Sequence, residues 1–278
     1  MRIGIRAHDI KHNNLDELGK IAHEKNIKSF HFAPKKVINE FEIEKGSLTP
    51  GMAQYINRIL QKHELNISIL GSYINLANPD DGELNEALEI FKEHIRFAKY
   101  LGCSIVATET GCYNREYVYT EKNNTEEAFQ RSLNSMKAIV EEAEKFGIVV
   151  VIEGSVEHVI NTPKRLKRAL DSIKSNNLQV LFDPINFIDE NNYDKMDEII
   201  KESFQLFGDR IVSIHTKDFE YKNGIFKRVP IGTGQFNYIL LLSLIKYKKP
   251  YIDVIIEDSL PEYQEASIKY IEEMYKKL

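Results

Sequence analysis

The chain has 278 residues and a mass of 32.2 kDa, with 42% hydrophobic and 28% charged residues, the balance of a folded chain rather than a disordered one. Its formal charge of −5 argues against a general grip on nucleic acid, which calls for a basic surface. The longest aliphatic run, residues 148–152, is too short to cross a bilayer of about 30 Å, and the opening MRIGIRAHDI carries charges where a signal peptide needs an apolar core, so a cytoplasmic location without membrane contact is expected.

Short β-branched runs alternate with longer amphipathic stretches along the whole chain. Strand 2–6 leads into helix 14–25, 29–32 into 50–63, 66–70 into 83–101, and 104–108 into 125–146. Strand 148–153 leads into 163–174, 179–183 into 193–207, 211–215 into 237–247, and 253–257 into 262–277. The 125–146 stretch shows the pattern: Phe129, Leu133, Met136, Val140 and Ala143 recur at helical spacing. Asn124 or Thr125 would cap its start, Glu126 and Glu127 fill its first turn, and Gly147 ends it. Eight such units of about 35 residues predict a parallel (β/α)8 barrel, an α/β TIM barrel. The rival, an open doubly wound sheet, usually carries a glycine-rich turn after its first strand; here Arg6-Ala7-His8-Asp9 has no glycine. No Pro/Ser/Gly-rich linker divides the chain, so residues 1–278 read as one domain. Cys103 and Cys112 make no disulfide framework, which suits a reducing compartment. The irregular segments 33–49, 109–124 and 216–236 all follow strands and so belong to the C-terminal face, where barrel enzymes keep their active sites.

The last four strands read VVVIEG, QVLFDP, IVSIHT and VIIED. Each apolar run ends in a residue able to bind a metal: Glu153, Asp183, His215 and Glu257. Alternation places residues 149, 151 and 153 on one face, and likewise 179, 181 and 183; 211, 213 and 215; and 253, 255 and 257. Turned inward, three carboxylates and one imidazole surround one point at the barrel mouth. That much buried negative charge calls for a divalent cation. Oxygen-rich ligation with one nitrogen suits Mn2+, Mg2+ or Co2+, with Zn2+ also admissible. The same alternation turns Asp253 inward at the opposite end of its strand.

On these residues the chain resembles the xylose isomerase-like barrels, in the sugar-phosphate isomerase/epimerase group of the AP endonuclease family 2 superfamily. Members share the Glu, Asp, His, Glu set on the last four strands. The segments LGSYINLANPD (70–80), ATETG (107–111) and FDPIN (182–186) are similar to their third, fourth and sixth strand regions. HTKDF (215–219) and FKRVPIGTGQFNY (226–238) resemble the seventh-strand loop of pentulose-5-phosphate 3-epimerases. There are departures. Asn186 stands where free-ketose 3-epimerases carry His, Thr233 and Asn237 stand where many relatives carry an acid, and either Glu157 or His158 matches a substrate-contacting Glu.

The resemblance implies a divalent-metal-dependent isomerase or 3-epimerase acting on a ketose or ketose phosphate through a metal-stabilised enediolate. Glu153 and Glu257 would remove a proton on one face and return one on the other, with Lys217 or a water as the alternative carrier. Glu109, Asn75, Asn186, Lys217 and Arg228 are the candidate substrate contacts; for Asn75 a turn role is equally expected. His8 and His31 read as strand-end hydrogen-bonding residues, and His12, His23, His63 and His94 as surface residues. Tyr73 and Tyr113 read as packing residues near the mouth. Gly232 and Gly234, ahead of a helix near 237, would let backbone N–H groups approach a substrate phosphate, with Lys217 and Arg228 adding charge. The alternative function is a lyase that dehydrates a keto-inositol or dehydroshikimate through the same enolate chemistry. A repair endonuclease of the endonuclease IV type needs further histidines and fits poorly, as does a non-catalytic sugar-binding barrel. The expected partner is a small carbohydrate, with self-association left open.

Overall fold

The computed structural model describes residues 1–278. Eight parallel strands close into a barrel: β1 (Arg2–Arg6), β2 (Ser29–Phe32), β3 (Asn66–Gly71), β4 (Ile105–Glu109), β5 (Val149–Glu153), β6 (Leu178–Phe182), β7 (Ile211–Thr216) and, after a hairpin, β10 (Asp253–Ile256). β1 pairs with β10, which closes the cylinder. Helices α1 (Leu15–Glu24), α2 (Pro34–Val37), α3 (Pro50–Lys62), α4 (Asp81–Leu101), α5 (Glu126–Phe146), α6 (Pro163–Ser172), α7 (Met196–Phe207), α8 (Tyr238–Lys246) and α9 (Gln264–Lys277) connect the strands. This is the (β/α)8 architecture expected from the repeat of strand and helix.

Local chemistry explains the helix ends. Asn14, Thr49, Asp80, Thr125 and Thr162 each accept a first-turn N–H on their side chain, worth about 1 kcal/mol apiece. Gly102 and Gly147 end α4 and α5 in the left-handed region, at φ 75° and 67°. The helices' apolar stripes pack on the outer faces of the strands, forming the main core.

Inside the barrel, Ile69, Ala107, Val151, Leu181 and Ile255 form a separate apolar plug. Gly4 completes this layer, because a Cβ there would stand 2.7 Å from Ile255 Cδ1 and 2.5 Å from the Ser29 carbonyl. Below the plug, the inward Asp253 accepts Arg2 Nε and Nη2, both at 2.8 Å, so a bidentate ion pair closes the floor. The ladder slips at two points, one of them in β2–β3 between Phe30 and His31. The β6–β7 register slips between Val180 and Leu181, whose partners are Ile211 and Ser213. Ile211 therefore packs outward with the helices while Val212 touches the inner plug, so the expected common face of 211, 213 and 215 fails at 211.

Segment 216–236 is not irregular, as its lack of helical period suggested. It holds an antiparallel hairpin, β8 (Asp218–Lys222) and β9 (Ile225–Val229). Its turn is Asn223-Gly224 with both φ positive, 54° and 77°, the geometry that this dipeptide favours. The Asn-Gly pair between two short runs was the available signal. No helix is long and apolar enough to cross a membrane.

Candidate active site

Above the apolar plug, the inner layer turns polar. Glu153 ends β5, Asp183 follows β6, His215 lies in β7, and Glu257 follows β10, so the four come from consecutive strands. One ligand atom from each lies within 4.8 Å of the other three, and all four residues are buried. His215 Nδ1 stands 3.0 Å from Glu153 Oε1 and 3.0 Å from Glu257 Oε2. Asp183 caps the short turn after its strand: its Oδ1 accepts the N–H of Ile185 at 2.8 Å and of Asn186 at 3.3 Å. Its other oxygen, Oδ2, is buried and accepts no hydrogen bond, with Lys217 Nζ 3.1 Å away. A buried carboxylate oxygen with only the Lys217 ammonium beside it, next to two more carboxylates and an imidazole, fits a hard or borderline divalent cation.

Lys217, two residues beyond His215 and so also inward, is buried in this cluster. Its ammonium donates to Asn186 Oδ1 at 2.8 Å and to Glu257 Oε1. Asn186 donates in turn to Glu153 Oε1 at 3.1 Å, so Lys217 and Asn186 tie the two glutamates together. Arg6, at the top of β1, bonds Asp9 and Asp258 and reaches to 3.5 Å from Glu257 Oε2. Burial pushes the Glu153 carboxyl up, against the pull of His215. Burial would do the same to Glu257, but Lys217 and His215 outweigh it and hold that carboxyl well below the usual range. The two glutamates therefore sit in unequal fields.

A cavity of about 750 Å³ opens over the cluster. Of the four clustered residues, only Glu153 and Glu257 line it; Asp183 and His215 sit behind them. Lys217, Asn186, Glu109 and Arg228 also line it, as does Arg6. Glu109 is the β-ladder partner of Glu153 and accepts the Tyr117 hydroxyl. Arg228 stands on β9 at the outer wall, its guanidinium over the Phe226 ring. Asn75 is not on the wall. Its Oδ1 accepts the N–H of Cys112 (2.9 Å) and of Ala77 (3.2 Å), and its Nδ2 donates to the Asn114 carbonyl, so its geometry is that of a loop clip. Tyr113 donates to Glu127 rather than facing the cavity.

The Gly232–Gly234 segment does not have the free amides that an anion site needs. Asp218, buried at the start of β8, accepts the N–H groups of Gly232 (2.9 Å) and Gly234 (3.1 Å) on Oδ2. Its Oδ1 accepts those of Phe236 (3.0 Å) and Phe219 (2.8 Å). The anion in this loop is the chain's own carboxylate, and Gly234 is required because a Cβ would stand 2.3 Å from Asp218 Oδ1. Asn237 likewise caps the start of α8. Lys217, expected to serve the same anion, is engaged at the carboxylate cluster instead.

One histidine also departs from expectation. His94 is buried on α4, bonded to the Ile90 carbonyl, rather than at the surface. His31 is the hydrogen-bonding residue expected, wholly buried against His215. Sequence reasoning passed over Arg6 at the cavity, although alternation from Gly4 through Arg6 places it inward at the mouth.

Comparison with known proteins agrees with this architecture. The chain belongs to the xylose isomerase-like TIM barrel family, whose profile matches residues 22–274. A probable L-ribulose-5-phosphate 3-epimerase UlaE of Mycoplasma pneumoniae is 25% identical over 189 residues, 66% of this chain; the match spans about half of that relative, 55% of its length. Among solved structures, a D-tagatose 3-epimerase-like protein superposes with a TM-score of 0.76 at 20% identity, covering 100% of this chain and 97% of the other. An IOLI protein with a bound zinc atom superposes at 0.73 and 21% identity, covering 100% and 96%.

Proposed function

We propose that this member of the xylose isomerase-like TIM barrel family is a divalent-metal-dependent 3-epimerase or isomerase of a ketose or ketose phosphate. The observation that carries the reading is that, of four converging ligands, only Glu153 and Glu257 face the cavity. They come from strands three places apart in the barrel, with His215 Nδ1 between them. Moving a proton from one face of a substrate carbon to the other needs a carboxylate on each side, and this pair supplies them.

Glu153, Asp183, His215 and Glu257 would hold the cation, which supplies Lewis-acid polarisation of a substrate carbonyl and so acidifies the neighbouring C–H. Glu257, held ionised by Lys217 and His215, suits the role of base; Glu153, with its raised affinity for a proton, suits the role of acid, and the reverse reaction exchanges the roles. Lys217 and Asn186 keep both carboxylates in place. Arg228, at the outer wall, would meet the distal end of the substrate, where a phosphate would sit. The UlaE match and the superposition on the tagatose epimerase-like structure are consistent with a ketose.

The test is incubation with Mn2+ in heavy water against free ketoses, their phosphates and keto-inositols. Deuterium incorporated at C3 with inversion supports the epimerase. Net loss of water instead means a dehydratase, and no exchange with any of them overturns the reading.

A further inference from the structure

A hydrogen-bonded chain runs from the carboxylate cluster to the cavity wall. His215 Nε2 lies 2.8 Å from His31 Nδ1, and His31 Nε2 lies 3.1 Å from the Tyr73 hydroxyl. His31 is wholly buried on β2, with the rings of His215 and Tyr73 at its two sides. Gly71 makes room for it: a Cβ there would stand 2.5 Å from His31 Nε2. Tyr73 follows β3, and its other side lines the cavity.

The direction of the chain follows from counting protons. His215 Nδ1 faces Glu153 and Glu257, so it is either a donor to them or the lone pair offered to a cation. With Nδ1 given to a cation, the one proton of the ring is on Nε2. His31 Nδ1 must then accept, since two N–H groups cannot face each other across 2.8 Å. A neutral imidazole that accepts on Nδ1 carries its proton on Nε2 and donates it to Tyr73. The Tyr73 oxygen is therefore an acceptor toward His31, and its own proton points elsewhere. The open side is the cavity.

We infer that Tyr73 presents a hydroxyl donor of fixed direction to an oxygen atom of the substrate, and that His31 is the positioning residue that sets both this direction and the tautomer of His215. That the acceptor is a ketose oxygen rests on the epimerase reading above; the direction of the chain rests only on a cation taking His215 Nδ1. A pre-oriented donor meets a carbonyl or hydroxyl oxygen without a rotor to freeze, and it rejects a ligand that places a second donor there.

The test has two arms. Long-range 15N–1H NMR of the imidazoles in the full chain, with and without Zn2+, reads the tautomers directly. With Zn2+ bound, the expected result is a protonated Nε2 and bare Nδ1 on His31, with Nε2 protonated on His215; a proton on His31 Nδ1 in that state overturns the inference whatever the substrate. In the second arm, Tyr73→Phe should lower kcat/KM with L-ribulose 5-phosphate, or whichever ketose passes the exchange assay, by about tenfold, the weight of one hydrogen bond. Its Zn2+ affinity should stay close to that of the parent. His31→Asn should weaken Zn2+ by about 10–100-fold, as loss of a ligand's hydrogen-bond partner does. Unchanged kcat/KM in Tyr73→Phe overturns the donor role, and unchanged Zn2+ affinity in His31→Asn overturns the positioning role. If no ketose is turned over, the epimerase reading fails, while the tautomers still decide the direction.

Discussion

Asp183 is the most exacting residue of the cluster. One oxygen caps the turn after β6 and the other is buried without a hydrogen bond. Asp183→Ala should therefore remove a ligand and leave Lys217 with one anion fewer, and elemental analysis or titration should find divalent metal sharply reduced. Unaltered stoichiometry would remove Asp183 from the ligand set. The two cavity-facing glutamates call for a different measurement. Glu153→Gln and Glu257→Gln keep the shape while abolishing proton transfer, so each should lower turnover by at least ~100-fold. Metal content must be measured alongside, since both would also be ligands. Full occupancy with near-normal turnover in either variant would place the base elsewhere. The four clustered residues could be read from the strand ends because each sits at an inward step of a local period-2 pattern. Lys217 continues that period, and its residue type did not say whether it would reach up to a ligand or turn down to the carboxylates; the buried negative charge decided for the latter.

Among the elements, the loop from β9 to α8 shows how sequence and structure part. Its glycines look like an anion-binding turn, and they are one, but the anion is Asp218 from the start of the hairpin. Four backbone N–H groups converge on one buried carboxylate, which fastens the hairpin and the loop after it to the top of β7. Asp218→Ala would strand these donors, at about 1–3 kcal/mol for each one left buried without a partner. The expected outcome is a lowered melting temperature and protease cleavage within 223–236, measured by calorimetry and limited digestion. Asp218→Asn retains only acceptor capacity on one atom and should fall between. A variant as stable and protease-resistant as the parent would show that the loop stands without this clasp.

For the whole molecule, the barrel divides its interior by height: an ion pair at the floor, an apolar plug, and a polar layer at the mouth. Outside it, the packed helices hide a titratable group that is not part of the carboxylate cluster. Burial lowers the proton affinity of His94 on α4 from its ordinary pKa of 6.5. The unfolded chain thus binds a proton that the folded chain refuses as pH falls below about 6.5. Stability attributable to His94 is present above that pH and is lost on acidification, with a slope of at most ~1.4 kcal/mol per pH unit for one proton. Urea unfolding at pH 7 and pH 5 should show a smaller loss in His94→Gln than in the parent. Equal losses would mean that His94 is not a source of the acid sensitivity.

The (β/α)8 fold and the Glu153, Asp183, His215, Glu257 set were legible in the sequence by itself, because strand alternation and helical period are local and repeat eight times. The inward Asp253 was legible too, although its partner Arg2, 251 residues away, was not. What only the tertiary structure decided is who meets whom across the barrel. His31 meets His215 across 184 residues, Lys217 meets Glu257 across 40, and Asp218 meets amides 14 to 18 residues on. Periodicity assigns a side chain to a face, but its partner there depends on strand register, on bulges and on which neighbour carries the opposing charge. Closing the barrel brings those groups within hydrogen-bond reach, and burial then leaves each one no alternative but the partner it finds.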